Sequence, residues 1–402
     1  MTKTYRSVPL KHVVTYNDEV LPESYNSDSE ISYIEISDVD SQRGITGATH
    51  VKFGDAPSRA RRIVRENDVL VSTVRTYLRA IAPVEDHHDK FIASTGFCVL
   101  RPKQIHPAYL KFAVLSPDFV DRVIARSTGI SYPAINASDL VRIPILVPTL
   151  SAQQRVANFL DRETAQIDNL IAKQERLIEL LAEKRQAVTD SYVAETVEPL
   201  ADDPGLRLKY TWRAVDDRAN GADLPLMSVS IHHGVQRRSE TTADEPRADD
   251  LSNYKLCRRG DIVINRMRAF QGALGVAREP GLVSPDYLVV RPGRYADADW
   301  LSRVLRSTWA VGQMQARLRG IGSIDQGVIR TPRINTTDLG GMRIRIPSLD
   351  SQSQFLAQIR SVDDQIERLV SRAGSAVAVL RERRSALISA AVTGKINVTE
   401  GA

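Results

Sequence analysis

Two long stretches of the chain carry apolar residues at helical spacing, and each follows a segment whose apolar residues alternate as they do in strands. The near-heptad spacing predicts amphipathic helices over 151–195 and 350–393, which contain no proline. Such helices extend on the order of 65 Å. The apolar positions are Val156, Leu160, Ile167, Leu170, Leu177, Leu181 and Val188, then Phe355, Ile359, Ile366, Leu369, Ala376, Leu380 and Leu387. A stripe of this kind must be buried, so we expect the two helices to pack as an antiparallel coiled coil.

The segments before the helices have a mixed α/β pattern. In the first, β-branched runs and helical spacing predict strands and then a helix at Ile31–Ile36, Val69–Val74, Phe97–Leu100 and Tyr109–Ile124. The second repeats this order at Asp261–Asn265, Tyr287–Val290 and Trp300–Leu318. Ser151 and Asp350 are the predicted helix N-caps.

The two halves also match residue by residue. A shift of 199 positions lays 136–193 over 335–392 without a gap, so that Asn136, Gln153, Glu183 and Arg185 fall on Asn335, Gln352, Glu382 and Arg384. An internal duplication of this size predicts two pseudo-symmetric mixed α/β domains separated by the helices, in an α+β fold. The predicted boundaries are 1–150 and 199–349 for the domains, and 151–198 and 350–402 for the helices and tail.

Composition narrows the functional classes. The chain has 402 residues, 26% charged and 42% hydrophobic, and a net charge of +5. We expect a cytoplasmic protein that has no membrane segment and no disulfide framework, since it has two cysteines and a polar start. Arginine is abundant in 201–349 and suits phosphate and guanine, although a GC-rich genome would produce the same bias.

No catalytic motif is visible. The doublets His87–His88 and His232–His233 place adjacent side chains apart and are expected to be surface histidines, so no metal site is predicted. Thr393–Lys395 is followed by Ile396 and lacks the upstream glycine of a phosphate-binding loop. We therefore expect a binding protein that has no cofactor of its own.

Three short segments resemble the specificity (S) subunit of type I restriction–modification systems, the HsdS family. They are Ile143–Gln154 (IPILVPTLSAQQ), Ile344–Gln352 (IRIPSLDSQ) and Ala390–Val398 (AAVTGKINV). The resemblance covers essentially the whole chain, through two recognition domains that alternate with two helical regions.

The resemblance implies a non-catalytic subunit that reads double-stranded DNA with a bipartite target. Each domain would act as a target-recognition domain for one half of the target, and the helices would set the gap between the halves. The partners would be two modification subunits, which are adenine-N6 methyltransferases, and possibly two restriction subunits. S-adenosylmethionine, ATP and Mg are expected only on those partners.

Candidate DNA contacts lie in loops that follow strands, where a basic residue beside an aromatic one can hold phosphate or stack at a groove. They are Arg75, Thr76 and Tyr77 in the first half, and Arg266, Arg268 and Phe270 at the matching place in the second. The alternative is that Tyr77 and Phe270 fill the core. Further candidates, which a solvated surface or a plain turn would also explain, are Arg59, Arg61, Arg62, Tyr132 and Arg330.

Candidate partner contacts on the helices are Gln153, Gln352, Glu183 and Glu382, because they recur in both copies. Arg185 and Arg384 recur as well, and we expect them to form structural ion pairs beside the seam. A coiled-coil scaffold that binds protein and a standalone DNA-binding regulator are the alternative functions. Steep loss of affinity with salt would separate DNA binding from scaffolding.

Overall fold

The computed structural model describes residues 5–129, 132–220, 222–231, 233–241, 251–318 and 333–398. The chain divides into two compact units. Unit 1 comprises Met1–Glu175 and Ala373–Ala402, and unit 2 comprises Arg176–Arg372. Both divisions fall inside the long helices, so each unit contains a part of each helix.

Unit 1 contains twelve strands among its described residues, which are β1 (Arg6–Pro9), β2 (Val14–Tyr16), β3 (Glu30–Ile34), β4 (Val39–Asp40), β5 (Gly44–Ile45), β6 (Thr49–Lys52), β7 (Ala60–Ile63), β8 (Val69–Ser72), β9 (Ile81–Pro83), β10 (Ile92–Ser94), β11 (Phe97–Pro102) and β12 (Pro144–Val147). Its helices are α1 (Pro107–Leu115), α2 (Pro117–Arg126), α3 (Ala137–Leu140), the first part of α4 (Leu150–Thr196) and the last part of α8 (Leu349–Val392). One antiparallel sheet has the order β2-β11-β8-β9, and a second sheet has the order β6-β3-β10-β7, in which β3 and β10 are parallel. The strands β1 and β12 pair separately.

Unit 2 contains β13 (Leu206–Arg207), β14 (Trp212–Val215), β15 (Met227–Ser230), β16 (Gly234–Arg237), β17 (Lys255–Cys257), β18 (Ile262–Ile264), β19 (Leu274–Val276), β20 (Gly281–Val283), β21 (Leu288–Pro292) and β22 (Arg343–Ile344). Its helices are α5 (Ala298–Leu305), α6 (Thr308–Gln315), α7 (Thr336–Gly340), the last part of α4 and the first part of α8. The antiparallel sheet β14-β21-β18-β19 repeats the order β2-β11-β8-β9, and the pair β13–β22 repeats β1–β12. The predicted mixed α/β fold with duplicated domains is confirmed at the level of strand order.

Each single helix predicted after these sheets is in fact two. The first breaks at Pro117, whose ring cannot continue a helix, and Ser116 caps the second piece through the Phe119 N–H at 3.4 Å. The copy breaks at Ser307, whose hydroxyl accepts from the Ala310 N–H at 3.1 Å. The predicted caps Ser151 and Asp350 lie inside α4 and α8. Ser348 caps the start of α8, because its Oγ accepts a hydrogen bond from the Ser351 N–H at 3.2 Å.

Within each unit the two long helices run antiparallel. Along the contacts between them, the residue numbers rise on α4 while they fall on α8. In unit 1, Arg384 pairs with Asp168 at 2.9 Å and Arg381 with Glu175 at 3.0 Å. In unit 2, Arg185 lies 3.0 Å from Asp363, and Tyr192 stacks on Phe355 with 3.7 Å between the ring centroids. The structural ion pairs predicted for Arg384 and Arg185 are confirmed.

The buried stripe departs from the predicted heptad line near the middle of the helices. In unit 1, Ile167, Ile171 and Val377 form the buried seam, whereas Leu170 is 46% exposed. The step from 167 to 171 follows the 3.6-residue period of a straight helix, and a strict heptad would have selected Leu170. Exposed apolar side chains therefore remain on the helix surfaces.

Among the described residues, none of the helices combines the length and the hydrophobicity that a membrane span requires.

A buried carboxylate joins the two central strands of the repeated sheet in both units. Asp68 precedes β8 and accepts from Arg101 on β11 at 2.9 and 2.8 Å, and Asp261 before β18 accepts from Arg291 on β21 at 2.7 and 2.8 Å. Each aspartate also accepts a backbone N–H, from Arg65 and from Arg258. The charge is therefore fully hydrogen-bonded, which offsets the cost of burial.

In unit 1 a second carboxylate joins this network. Glu19 accepts from Arg101 at 2.6 Å and from Arg65 at 3.1 Å. The Arg65 hydrogen bond is the main cause that lowers the pKa of Glu19 to about 2. Arg101 is consequently bridged on two sides, whereas Arg291 has a single bidentate partner among the described side chains.

The glutamines Gln153 and Gln352 are fully buried one turn into α4 and α8. Gln153 accepts from the His106 N–H at 2.8 Å and donates to the Pro148 carbonyl at 2.8 Å. Gln352 accepts from the Asp297 N–H at 2.8 Å and donates to the Tyr295 and Pro347 carbonyls at 2.9 Å. Each amide therefore ties a helix start to the loop before α1 or α5. The predicted partner-contact role is wrong for both, because their polar atoms are engaged inside their own unit.

We expect Asp261→Asn to lower the free energy of unfolding of unit 2 by roughly 2–4 kcal/mol, because Arg291 would lose its ionic partner in a half-buried site. Asp68→Asn should cost unit 1 less, since Arg101 keeps Glu19. Hydrogen exchange of the β18–β21 and β8–β11 amides in urea would measure both, with the exposed Asp202→Asn as control. Equal costs, or none, would contradict the assigned role of the Asp–Arg pair.

Gln352→Ala should destabilise unit 2 by roughly 1–3 kcal/mol, because it leaves a buried N–H and buried carbonyls without partners. Gln358→Ala, on an exposed face of the same helix, removes the same amide and should be neutral. Urea unfolding of the full chain, followed through exchange of the 295–300 amides, would compare them. A similar loss in both variants would show that burial is not the cause.

Candidate nucleic-acid interface

The turn after β8 holds two non-glycine residues in the left-handed backbone region. Arg75 has φ 48° and Arg79 has φ 54°, and the 3₁₀ turn Thr76–Leu78 lies between them. A side chain in this region costs about 1–2 kcal/mol per residue, so such backbone persists only where surrounding contacts enforce it.

Three contacts hold this turn in place. The Arg75 N–H donates to the Pro133 carbonyl at 2.8 Å, and the hydroxyls of Thr76 and Ser127 are hydrogen-bonded at 2.8 Å. Arg79 pairs with Asp121 on α2 at 3.3 Å. Thr76 is buried, so the prediction that it contacts DNA is wrong: its hydroxyl anchors the turn.

The anchored turn presents aromatic and basic side chains to solvent. Tyr77 is 51% exposed, and Tyr132 is 65% exposed with the Arg75 guanidinium 4.8 Å from its ring centroid. Leu78 is exposed beside them. A guanidinium stacked on a ring keeps its donors directed outward, which suits a phosphate or a base edge. The predicted contacts Arg75 and Tyr77 both lie on this turn, and the structure adds the separately predicted Tyr132 through its contact with Arg75. Their DNA contacts stay predictions.

The matching turn of unit 2 follows β18 and is built differently. Arg266 donates to the Ile334 carbonyl at 3.1 Å and to Asn335 Oδ1 at 3.2 Å, so its guanidinium clamps the start of α7. These hydrogen bonds give Arg266 a structural role, and its DNA contact stays a prediction. Phe270 packs against the unit 2 core, as the alternative interpretation has it. Arg268 is the exposed cation of this turn and lies where Arg75 lies in unit 1.

The cations on and beside β7 are held within unit 1. Arg59 hydrogen-bonds the Tyr33 hydroxyl and pairs with Glu35, both at 3.3 Å. Arg61 stacks 4.9 Å from the Phe53 ring centroid. Arg61 and Arg62 each have one buried nitrogen without a hydrogen-bond partner among the described residues, which leaves donor capacity unused. Their DNA contacts stay predictions.

The remaining predicted residues lie apart from these turns. Glu183 is exposed on α4, 3.4 Å from Arg176, and Glu382 is exposed on α8. Both stay predictions as partner contacts. Arg330, with the glycine-containing stretch 320–324, lies outside the described residues.

Sequence reasoning missed Leu78 and Arg79, which share the exposed turn. A signal was present, since the run Arg75–Arg79 places a cation at each end of an aromatic-apolar pair. It also misjudged one histidine doublet. The rings of His87 and His88 lie 3.7 Å apart between centroids, and His88 is buried, so these two side chains converge.

Comparison with known proteins gives a consistent result. Residues 3–180 match the family model described as the type I restriction modification DNA specificity domain. The chain is 24% identical over 316 residues to the type I restriction enzyme StySPI specificity subunit of Salmonella potsdam, which is 69% of this chain and 64% of that relative. It is 18% identical over 321 residues to the EcoBI specificity subunit of Escherichia coli, 70% of this chain and 64% of that relative. The chain thus spans just under two thirds of the length of these curated relatives.

A solved structure supports the fold. A chain described under "Structural basis underlying complex assembly and conformational transition of the type I R-M system" matches with a TM-score of 0.65 and 23% identity. The match covers 98% of this chain and 100% of that one. Together with the duplicated sheets and helices, these matches show that residues 3–180 resemble the type I restriction modification DNA specificity domain and that the chain is similar to type I restriction enzyme specificity subunits.

Proposed function

We propose that the chain is the non-catalytic DNA-specificity subunit of a type I restriction–modification enzyme and reads a bipartite target in double-stranded DNA. One observation carries the proposal: the same strand of the same repeated sheet leads in both units to a turn with an exposed arginine, Arg75 or Arg268. Two equivalent positions with unlike surroundings suit two half-targets of unlike sequence.

The chemistry of the two turns supports a reader of DNA. In unit 1 the stacked Arg75–Tyr132 pair and the exposed Tyr77 offer guanidinium donors and aromatic faces together. In unit 2 the exposed Arg268 stands beside a clamped Arg266, so the backbone that carries it is held firmly. Rigid presentation reduces the entropy lost on binding.

The helices are proposed to dock two adenine-N6 methyltransferase subunits, and restriction subunits in the complete enzyme. Exposed leucines along α4, Leu170, Leu177 and Leu180, are the kind of surface that protein partners cover. Glu183 and Glu382 lie on the exposed faces of the same helices. Methyl transfer from S-adenosylmethionine, and the use of ATP and Mg, are assigned to those subunits. The complex would act on cytoplasmic DNA.

Genome-wide mapping of adenine methylation, with and without the gene, tests the proposal. Loss of a split motif with a fixed gap is the expected result. In parallel, the purified complex should lose DNA affinity steeply as salt rises, because phosphate contacts release counterions. An unchanged methylation map together with salt-insensitive binding would favour a protein-binding scaffold.

Arg268→Ala should weaken recognition of one half of the motif, and Arg75→Ala the other, each by about 1–3 kcal/mol if the arginine contacts a base. The measurement is the methylation level at sites mutated in either half, in cells that carry the variant complex. Arg43→Ala removes the same charge from an exposed hairpin of unit 1 and serves as the control. Loss of recognition of both halves in a single variant would contradict the assignment of one arginine to each half.

A further inference from the structure

A short turn in unit 1 gathers three side chains that can ligate a metal ion. Glu85, His87 and His88 each place a ligand atom so that all three atoms lie within 4.8 Å of one another. Across the described part of the chain this is the one group of histidine, cysteine or carboxylate side chains that meets this condition. It lies in the loop between β9 and β10.

The backbone brings Glu85 and His88 to one side of the turn. Asp86–His88 form a 3₁₀ turn that Glu85 caps, and the His88 N–H donates to the Glu85 carbonyl at 3.0 Å. Residues three apart in such a turn lie over one another, so Glu85 and His88 share one side. The expectation that the doublet diverges holds for an extended segment, and it fails in this turn.

One of the three distances between ligand atoms is already close to the value that a small divalent ion requires. His87 Nδ1 lies 3.6 Å from Glu85 Oε2. With zinc–ligand bonds of about 2.0–2.1 Å and tetrahedral angles, neighbouring ligand atoms would be about 3.4 Å apart. The other two pairs of ligand atoms lie within 4.8 Å, so rotation of the exposed Glu85 and His87 side chains toward His88 would close the site.

His88 supplies an observation independent of the cluster. It is 8% exposed and stands edge-on to Phe91, with 5.4 Å between the ring centroids. Its Nδ1 atom is buried and has no hydrogen-bond partner among the described residues. Burying a polar nitrogen without a hydrogen-bond partner costs free energy. A bound ligand that contacts His88 Nδ1 would remove this cost.

The turn itself is anchored. The Lys90 N–H donates to the Val64 carbonyl at 2.9 Å, and the Val64 N–H donates to the Phe91 carbonyl at 3.0 Å. Asp89 accepts from the Glu66 N–H at 3.3 Å. The ligands are therefore carried on a turn that is tied to the segment between β7 and β8.

We propose that Glu85, His87 and His88 form a zinc site with three protein ligands and a fourth position open to water. Two imidazoles and one carboxylate suit zinc better than magnesium or calcium, which prefer all-oxygen sets. The ion would cross-link the turn and stabilise this edge of unit 1 by binding only the folded state. The site is independent of the proposed recognition of DNA.

Calorimetric titration tests the site directly. The full chain, prepared without a polyhistidine tag, with its partner subunits if solubility requires them, is stripped with chelator and titrated with Zn²⁺. We expect one saturable equivalent, and Co²⁺ in its place should give the intense visible absorption of a tetrahedral nitrogen–oxygen site. Absence of saturable binding would overturn the proposal.

Variants assign the ligands. His87→Ala and Glu85→Gln change exposed side chains and should leave the fold intact, while zinc affinity falls by at least about tenfold. His12→Ala removes another exposed histidine and should bind zinc as the wild type does. Unchanged affinity in His87→Ala, or an equal loss in His12→Ala, would refute this ligand set. Because buried His88 also packs on Phe91, the test does not depend on its replacement.

Discussion

The constraint on which both units depend is the burial of one carboxylate at the entry to a central strand. Asp68 and Asp261 are almost completely buried, and each carries a charge that only a bidentate arginine and a backbone N–H make tolerable. Satisfying that charge fixes the register of β8 on β11 and of β18 on β21. The register in turn fixes where the next turn begins. The exposed arginines at Arg75 and Arg268 therefore owe their equivalent positions to a buried ion pair several residues away.

The sequence predicted much of the fold, because duplication and periodicity are encoded in many positions at once. Strands and long helices were located by their apolar patterns, and repeated arginines identified the ion pairs beside the helix seam. What it could not predict depends on single contacts. Pro117 and Ser307 divide helices that the apolar pattern joined, and the seam passes through Ile171 where the heptad selected Leu170. Such choices follow from packing against the neighbouring helix, which spacing along one chain does not contain.

The same difference between repeated patterns and single contacts explains which candidate site residues the structure leaves exposed. Arg75, Tyr77 and Arg268 were found from residue type and position after a strand, and the structure leaves them exposed. Thr76, Gln153 and Gln352 were candidates as well, yet their polar atoms are used internally. Arg266 directs two of its nitrogens to the start of α7. Recurrence in both halves marks a residue as important, but it does not distinguish a structural role from contact with a partner. A glutamine that ties a helix start to a loop recurs as faithfully as one that faces a partner.

The division of the chain has a consequence for how the protein is made. Unit 2 is one continuous segment, whereas the unit 1 core includes Ile388, Ala391, Val392 and Val398 from the far end of α8 and its tail. A ribosome releases residues in order, and domains fold as units once their sequence has emerged. Unit 2 is therefore complete before unit 1, although most of unit 1 is synthesised first. Until translation reaches the end of α8, the nascent amino-terminal part of unit 1 exposes apolar surface. The last part of α8 covers this surface once it has been synthesised.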